Sequence, residues 1–358
     1  MSERMINQFM EMVKIDSESG DEAAMMEYLM KAVKEVGGKG ELDDYGNLIC
    51  RFDAKGCEGK NPVLLSCHAD TVMPGKGIEP VIEDGVIRSK GDTILGADDK
   101  AGIAEVLEAL RVAQKYPPVE FAVSRQEEVG LLGVKNMDFS RITAKRGFLM
   151  DSDTLDTIVI GGPSYFAIDV NIEGKSAHAG MEPEKGISAI LAASKAISAL
   201  DLGRLDKETT ANVGVISGGL IRNGVPDKCC FLAECRSANH DRGSTLAMEM
   251  EKIIRKQVES TGAKVEIKVD NLCRAVEIPE DSWTVNIAKK ALKKIGIDAK
   301  CIFITGFTDA SIYNNEGIEM AVIGIGAQNE HSTEECIAVA EMERALGTLV
   351  EILRLSAE

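Results

Sequence analysis

The chain has 358 residues, a length typical of about two domains. It carries 41 basic and 58 acidic residues, and this net charge of −17 argues against a nucleic-acid partner, because phosphate binding needs clustered lysine and arginine. A hydrophobic content of 44% and a charged content of 28% are ordinary for a protein that buries a core, which argues against extensive disorder.

The sequence lacks the segments that direct a protein to a membrane or out of the cell. The longest uncharged run, residues 209–221, is shorter than the roughly 18 to 20 apolar residues of a spanning helix. The amino-terminal residues form no apolar signal-peptide core. Nine cysteines, an odd number without a C-x-x-C pair, indicate reduced thiols and not a disulfide framework or a zinc knuckle. We therefore predict a cytoplasmic protein without a membrane partner.

Strand-like and helical patterns alternate through residue 163. In chain order we predict helix 2–14, helix 21–36, strands 48–52 and 63–67, a hairpin around 83–85, helix 99–114, and strands 119–124 and 148–150. Strands that alternate with helices favour a largely parallel sheet covered on both faces. Residues 1–163 are therefore predicted to form the first part of an α/β domain.

The pattern changes after the Gly161-Gly162-Pro163 turn. The next predicted elements are strand 165–172, helix 184–200, strands 211–217 and 228–236, helix 245–261 and strand 264–269. This βαββαβ order is that of a ferredoxin-like module, so we predict an inserted α+β domain over residues 164–271.

The first pattern resumes in residues 272–358, which are predicted to complete the α/β domain. The elements there are helix 282–295, strand 300–304, a short helix after Asp309, strand 320–325 and helix 333–353. The sequence Ser332-Thr-Glu-Glu335 has the form of a capping box and predicts the start of the last helix.

Histidine and acidic residues follow several predicted strands, and the ligand sites of open α/β sheets lie beyond such strand ends. The residues concerned are His68, Asp70, Asp98, Asp99, Glu127, Glu128, Asp151 and His331. Each alone could be a surface pair, a solvated face or a helix cap. Burying so many carboxylates together costs several kcal/mol per uncompensated charge. We therefore predict two divalent metal ions, and histidine with carboxylate ligands suits Zn²⁺, with Co²⁺ or Mn²⁺ as substitutes.

Five segments, in this order, resemble motifs of the M20 metallopeptidases, nearest to the peptidase T-like branch. They are His68-Ala-Asp70, Gly96-Ala-Asp98-Asp99-Lys100-Ala-Gly, Glu127-Glu128-Val-Gly, Asp151 and His331. The resemblance covers nearly the whole chain, including the position of the inserted module. It implies a zinc-peptidase-type mixed sheet flanked by helices, with an inserted ferredoxin-like domain that serves as lid and dimer surface.

The resemblance also implies roles for these residues. It implies that Asp98 bridges two metals, that His68 and Asp151 complete one metal site, and that Glu128 and His331 complete the other. Asp70 would orient His68, and the family's cis peptide would fall between Asp98 and Asp99. The two metals would share a water and lower its pKa, and Glu127 would act as general base so that hydroxide attacks a peptide or amide carbonyl.

The predicted inserted domain contributes further candidates. His178, in Gly174-Lys-Ser-Ala-His178-Ala-Gly, resembles the family's histidine that reaches into the partner subunit's site, which implies a homodimer. Asn212, Asn223 and Arg236 match positions that contact substrate in relatives. Phe307 departs from the family's Gly-Gly-x-Asp loop.

The function expected from these residues is that of a two-metal exopeptidase that acts on short peptides from the amino end, as a tripeptide aminopeptidase does. A carboxypeptidase or an N-acyl amino acid deacylase would use the same scaffold and metals. A non-catalytic metal-binding protein is a third hypothesis, and the presence of Glu127 argues against it.

Overall fold

The computed structural model describes residues 2–358, and the chain divides into two compact units. Unit 1 contains the chain up to Gly161 together with Glu277–Ile304 and Thr308–Glu358, and unit 2 contains Gly162–Val276 and Thr305–Phe307. Among residues 2–358, no helix is both long and apolar enough to cross a membrane.

Helices and strands take the following bounds. The helices are α1 Ser2–Val13, α2 Ala23–Glu35, α3 Ala97–Val112, α4 Leu132–Lys135, α5 Ala189–Ser198, α6 His240–Glu259, α7 Trp283–Lys294, α8 Asp309–Asn315 and α9 Val339–Ser356. The strands are β1 Lys39–Leu42, β2 Leu48–Phe52, β3 Val63–His68, β4 Pro80–Glu83, β5 Val86–Ser89, β6 Val119–Ser124, β7 Arg146–Ser152, β8 Thr157–Gly162, β9 Ser164–Glu173, β10 Gly203–Arg204, β11 Thr209–Gly218, β12 Lys228–Ser237, β13 Lys264–Cys273, β14 Val276–Glu277, β15 Lys300–Phe303, β16 Glu319–Gly324, β17 Ala327–Gln328 and β18 Cys336–Ala338.

The large sheet of unit 1 has the order β1-β2-β6-β3-β7-β16-β8-β14, with β15 paired to β8. Strands β6, β3, β7 and β16 run parallel, whereas β2 and β8 pair antiparallel with their neighbours β6 and β16. Every residue of β3 and β6 is buried, as expected for central strands covered on both faces. The predicted α/β class with a mixed sheet is confirmed: its four central strands are parallel, β15 also pairs parallel with β8, and the remaining pairs described here are antiparallel.

A small sheet of order β17-β18-β5-β4 corrects one predicted element of unit 1. Residues 336–338 form strand β18, and α9 begins only at Val339, so the helix predicted from residue 333 was wrong at its start. The capping-box interpretation was also wrong, because the Glu335 carboxylate accepts hydrogen bonds from a distant loop at residues 95–98.

Unit 2 contains an antiparallel sheet of order β10-β11-β12-β9-β13, against which α5 and α6 pack. The order of the main elements is the predicted βαββαβ, with the two-residue β10 added. Both helices begin at side-chain caps: Ser188 Oγ accepts from the Leu191 N–H at 3.2 Å, and Asn239 accepts from the Arg242 N–H at 3.0 Å. These caps place the start of α5 five residues after the predicted one and the start of α6 five residues before it.

Candidate metal centre and active site

The central parallel strands of unit 1 bring the predicted metal ligands together. His68 is the last residue of β3, Asp151 lies near the carboxyl end of the adjacent β7, and Glu128 follows β6, which pairs with β3 on its other side. Asp98 lies at the irregular start of α3, where the Asp98–Asp99 peptide is cis, as the resemblance implies. Ends of neighbouring parallel strands meet at one sheet edge, so the side chains converge there.

Asp98 lies between the two histidines. Its Oδ1 is 3.1 Å from His68 Nε2, and its Oδ2 is 3.2 Å from His331 Nε2. His68 Nε2 is also 3.6 Å from Asp151 Oδ1, and His331 Nε2 is 3.0 Å from Glu128 Oε1. One carboxylate therefore faces two separate groups of ligands, and this geometry can hold two cations that share Asp98.

The unpaired acids of this cluster also fit a cation site. Ligand atoms of His68, Asp98 and Glu128 lie within 4.8 Å of one another, and so do those of His68, Asp99 and Asp151. The Oδ2 atom of Asp151 and the Oδ1 atom of Asp99 are buried with no hydrogen-bond partner among the described residues. Buried carboxylate oxygens without partners are costly, and a divalent cation is the ordinary compensation. Nitrogen and carboxylate donors together suit Zn²⁺.

The charges within the cluster shift the pKa values of its members. Hydrogen bonds to Asp98 and Glu128 raise the pKa of His331 to about 10. Despite burial, hydrogen bonds with His331 and His68 hold the pKa of Asp98 below its ordinary value. Burial raises the pKa of Asp151 to about 7. The two imidazoles therefore offset part of the negative charge, and they do so more fully at Asp98 than at Asp151.

Asp70 connects His68 to the loop that carries the two glutamates. His68 Nδ1 is 3.0 Å from the Asp70 carbonyl oxygen, so a proton on Nδ1 leaves Nε2 free as a ligand. The Asp70 carboxylate accepts from the N–H of Glu127 at 2.9 Å, the N–H of Glu128 at 3.2 Å and the Ser19 hydroxyl at 2.7 Å. Asp70 therefore positions the His68 ring and the backbone of Glu127 and Glu128.

Glu127 lies in a loop that a half-buried ion pair between Arg125 and Glu22 holds in place. The Glu22 carboxylate accepts from Arg125 Nε at 2.9 Å, Arg125 Nη2 at 2.6 Å and the Gln126 N–H at 3.2 Å. Burial, and next the charge of Asp151, raise the pKa of Glu127 well above its ordinary value. A buried carboxylate with a raised pKa is suited to take up a proton during a reaction.

Asp309 is a buried acid of this region that the sequence interpretation placed in the segment compared with the family's Gly-Gly-x-Asp loop and before a short helix, without a role in the site. Its Oδ2 accepts a hydrogen bond from the Ser124 hydroxyl, and its Oδ1 has no partner among the described residues. Burial raises its pKa to about 7. The available signal was its place at the start of a short helix after strand β15, which alone predicts a cap.

Unit 2 holds the remaining predicted site residues. His178 is exposed, and its Nδ1 accepts from the N–H groups of Gly180 and Met181 at 3.2 Å each. A neutral His178 therefore carries its proton on Nε2, where it can be donated. Asn212 and Asn223 are also exposed, and the Asn223 carbonyl accepts from the N–H of Ala179, next to His178.

Arg236 is already engaged within unit 2. Its Nη1 donates to the Thr305 carbonyl at 3.1 Å, and its Nη2 donates to Glu234 at 2.9 Å. The guanidinium lies 4.7 Å from the centre of the Tyr165 ring, and that ring stacks on Phe307 at 5.2 Å. Phe307, which departs from the family's loop, is therefore part of an aromatic stack.

Comparison with known proteins places the chain among peptidases. A family model described as the peptidase dimerisation domain of M20 matches residues 163–261, and a model of peptidase family M28 matches residues 47–180. The crystal structure of aminopeptidase PepT from Bacillus cereus is 37% identical, with 100% of this chain and 99% of that chain covered and a TM-score of 0.91. A tripeptidase structure from Staphylococcus aureus is 33% identical with the same coverage and a TM-score of 0.94. The uncharacterised protein YqjE of Bacillus subtilis is 36% identical over 99% of both chains.

The shared position of Asp98 predicts that cations stabilise the protein through this residue. Saturating Zn²⁺ or Co²⁺ should stabilise the metal-free protein by about 2.7 kcal/mol when the free ion is 100-fold above its dissociation constant. Asp98→Ala should lose most of this effect, whereas Asp44→Ala, at an exposed position, should retain it. Thermal unfolding with and without the ion measures both. An Asp98→Ala protein stabilised as strongly as the wild type would contradict the prediction.

Proposed function

The chain belongs to the M20 family of peptidases, in its peptidase T-like branch, and on this premise we propose that it is a two-metal, zinc-dependent exopeptidase that removes the amino-terminal residue of tripeptides. The observation that carries the proposal is Asp98, whose two carboxylate oxygens face His68 and His331. The names of its relatives, an aminopeptidase and a tripeptidase, support the choice of substrate.

The residues that would hold two cations are those that the family resemblance implies: His68 and Asp151 for one ion, Glu128 and His331 for the other, and Asp98 for both. Cations bound there would lower the pKa of a water molecule and stabilise negative charge on the scissile carbonyl oxygen.

Glu127 then moves the proton. Its carboxylate takes a proton from the attacking water and passes it to the nitrogen of the leaving amine, so one residue serves as base and then as acid. The hydrogen bond from its own N–H to Asp70 fixes the start of its side chain, and burial keeps the carboxylate in a water-poor surrounding. The backbone positions of Glu127 and Glu128 are set by the same aspartate, which lets the two neighbours divide the roles of base and ligand.

We propose that residues 164–271 act as lid and dimerisation domain, so that His178 of one subunit completes the site of its partner in a homodimer. The match of residues 163–261 to a dimerisation domain supports this arrangement. The Nε2–H of His178 would donate a hydrogen bond to the carbonyl oxygen of the substrate. Asn212, Asn223 and the exposed part of Arg236 are proposed to contact the substrate.

We further propose that the protein is cytoplasmic. None of the nine cysteines, all within the described residues, forms a disulfide, and reduced thiols are typical of that compartment.

A panel of blocked and unblocked substrates tests the substrate class. Tripeptides with a free amino end should show a kcat/KM about 100-fold or more above their N-acetylated forms, since acetylation removes an ammonium that the site must recognise. Mass spectrometry should find the first residue released. Release of the last residue would instead indicate a carboxypeptidase, and preferred turnover of N-acyl amino acids would indicate a deacylase.

Glu127→Gln should retain bound metal and lose turnover by about 100-fold to 10,000-fold, because the amide cannot take up the proton. Elemental analysis of the purified variant and tripeptide hydrolysis measure the two effects separately. Glu41→Gln, at an exposed position, is the matched control and should keep both. A Glu127→Gln enzyme with near-normal turnover would refute the base assignment.

Mixing two inactive variants tests whether His178 acts in the partner's site. Glu127→Gln and His178→Ala should each be weak alone, but a heterodimer would contain one site with both residues intact. Subunit exchange at equal amounts should therefore restore about a quarter of wild-type activity, since half the dimers are mixed and each has one complete site. No recovery after verified exchange, or a fully active monomer in sedimentation, would contradict action across the dimer.

A further inference from the structure

Glu335 is a buried acid outside the predicted ligand set, and its carboxylate receives four backbone hydrogen bonds. One oxygen accepts from the N–H groups of Leu95 and Gly96 at 2.7 Å each. The other accepts from Ala97 at 2.7 Å and Asp98 at 3.1 Å. Glu335 is only 2% exposed, so these bonds lie out of water. The four donors are consecutive residues of the turn that delivers Asp98.

The local backbone gives this turn few other means of support. It opens α3, where Gly96 has a positive φ of 71° and Asp98 and Asp99 depart from helical geometry. N–H groups at a helix start have no partner within the helix, and a carboxylate there is favoured by both hydrogen bonding and the helix dipole. The start of α3 is therefore capped by the side chain of Glu335, which follows Asp98 by 237 positions in the sequence.

Glu335 also belongs to the segment that carries His331. A turn joins the two residues, because the Glu335 N–H donates to the Ser332 carbonyl at 3.1 Å and the Ser332 hydroxyl donates to the Asn329 carbonyl at 2.7 Å. The same segment thus presents His331 to Asp98 Oδ2 at 3.2 Å and holds the backbone of Asp98 through Glu335.

We propose that Glu335 is a positioning residue of the metal centre, which fixes the shared aspartate and keeps it in register with His331. The inference rests on the proposed function, because it takes Asp98 and His331 to be metal ligands. Glu335 touches neither the metal nor the substrate in this assignment. It acts through the backbone of the turn at residues 95–98, and its loss should weaken metal binding without removing any ligand.

Two substitutions and a matched control test this role. Glu335→Gln keeps the shape but offers one acceptor oxygen and places an NH₂ group against two backbone N–H donors. Glu335→Asp keeps the charge but shortens the side chain by one methylene, and it serves if the glutamine variant does not fold. The control is Glu120→Gln. Glu120 is also buried, at 4% exposure, and its carboxylate also accepts from backbone N–H groups, those of Thr143 and Ala144. It lies at the amino end of β6, whereas the predicted ligands converge at the carboxyl ends of the strands.

The measurement is titration of each metal-free protein with Co²⁺, followed by the visible absorption of the bound ion. Both Glu335 variants should bind Co²⁺ about 10-fold to 100-fold more weakly with an altered spectrum, as expected when support behind a ligand is removed. Glu120→Gln should bind as the wild type does, even if its denaturant midpoint falls as far as that of the Glu335 variants.

The outcomes separate this inference from the function on which it rests. Wild-type affinity and spectrum in a folded Glu335 variant would overturn the positioning role and leave the metallopeptidase proposal standing. An equal loss of affinity in Glu120→Gln would also overturn it, since a general loss of stability would then explain the effect. A wild-type protein that binds no Co²⁺ and cleaves no peptide would overturn the proposed function itself.

Discussion

Repulsion among buried carboxylates is the main constraint on the candidate metal centre of unit 1. Asp98 at the start of α3 and Asp151 and Glu127 near strand ends form one acidic cluster, and the imidazoles of His68 and His331 offset part of its charge. Burial drives the pKa of Asp151 and of Glu127 upward, while the imidazoles hold that of Asp98 down. A protein gains nothing in stability from such a cluster, and its persistence is explained by divalent cations that turn repulsion into coordination.

A second set of acids holds the loops around this cluster, and each does so through the same kind of hydrogen bond. In each case a carboxylate accepts hydrogen bonds from backbone N–H groups of a segment of the candidate site. Asp70 does so for Glu127 and Glu128, Glu22 does so for Gln126, and Glu335 does so for the turn at residues 95–98. Because the acceptor in each such hydrogen bond is an ionised carboxylate, the bond is stronger than one between neutral groups and holds the loop backbone closely in position. The result is a rigid frame for side chains that would otherwise repel one another.

How much of this could be predicted from sequence depends on the range of the interaction concerned. His68, Asp151 and Glu128 were predictable because each follows an apolar strand, and parallel strands end together. Glu335 was assigned to a local capping box because its sequence neighbours fit one, yet its partners lie at residues 95–98, and no local pattern reveals an acceptor so distant. Asp309 was given no role in the site for a similar reason, since it begins α8 and its partner Ser124 ends β6, 185 positions earlier in the chain. Local periodicity predicted the helices and strands, but it does not reveal side-chain carboxylates that accept hydrogen bonds from distant parts of the chain.

The assignment of Thr305–Phe307 to unit 2 bears on any attempt to produce that unit as a separate fragment. A contiguous piece cut at Gly162 and Val276 would omit the aromatic ring stacked on Tyr165 and the carbonyl that receives Arg236. The truncated surface would then present an uncovered ring beside a guanidinium with a missing acceptor, which invites self-association. A fragment that keeps these contacts needs residues 305–307 joined to it through a linker.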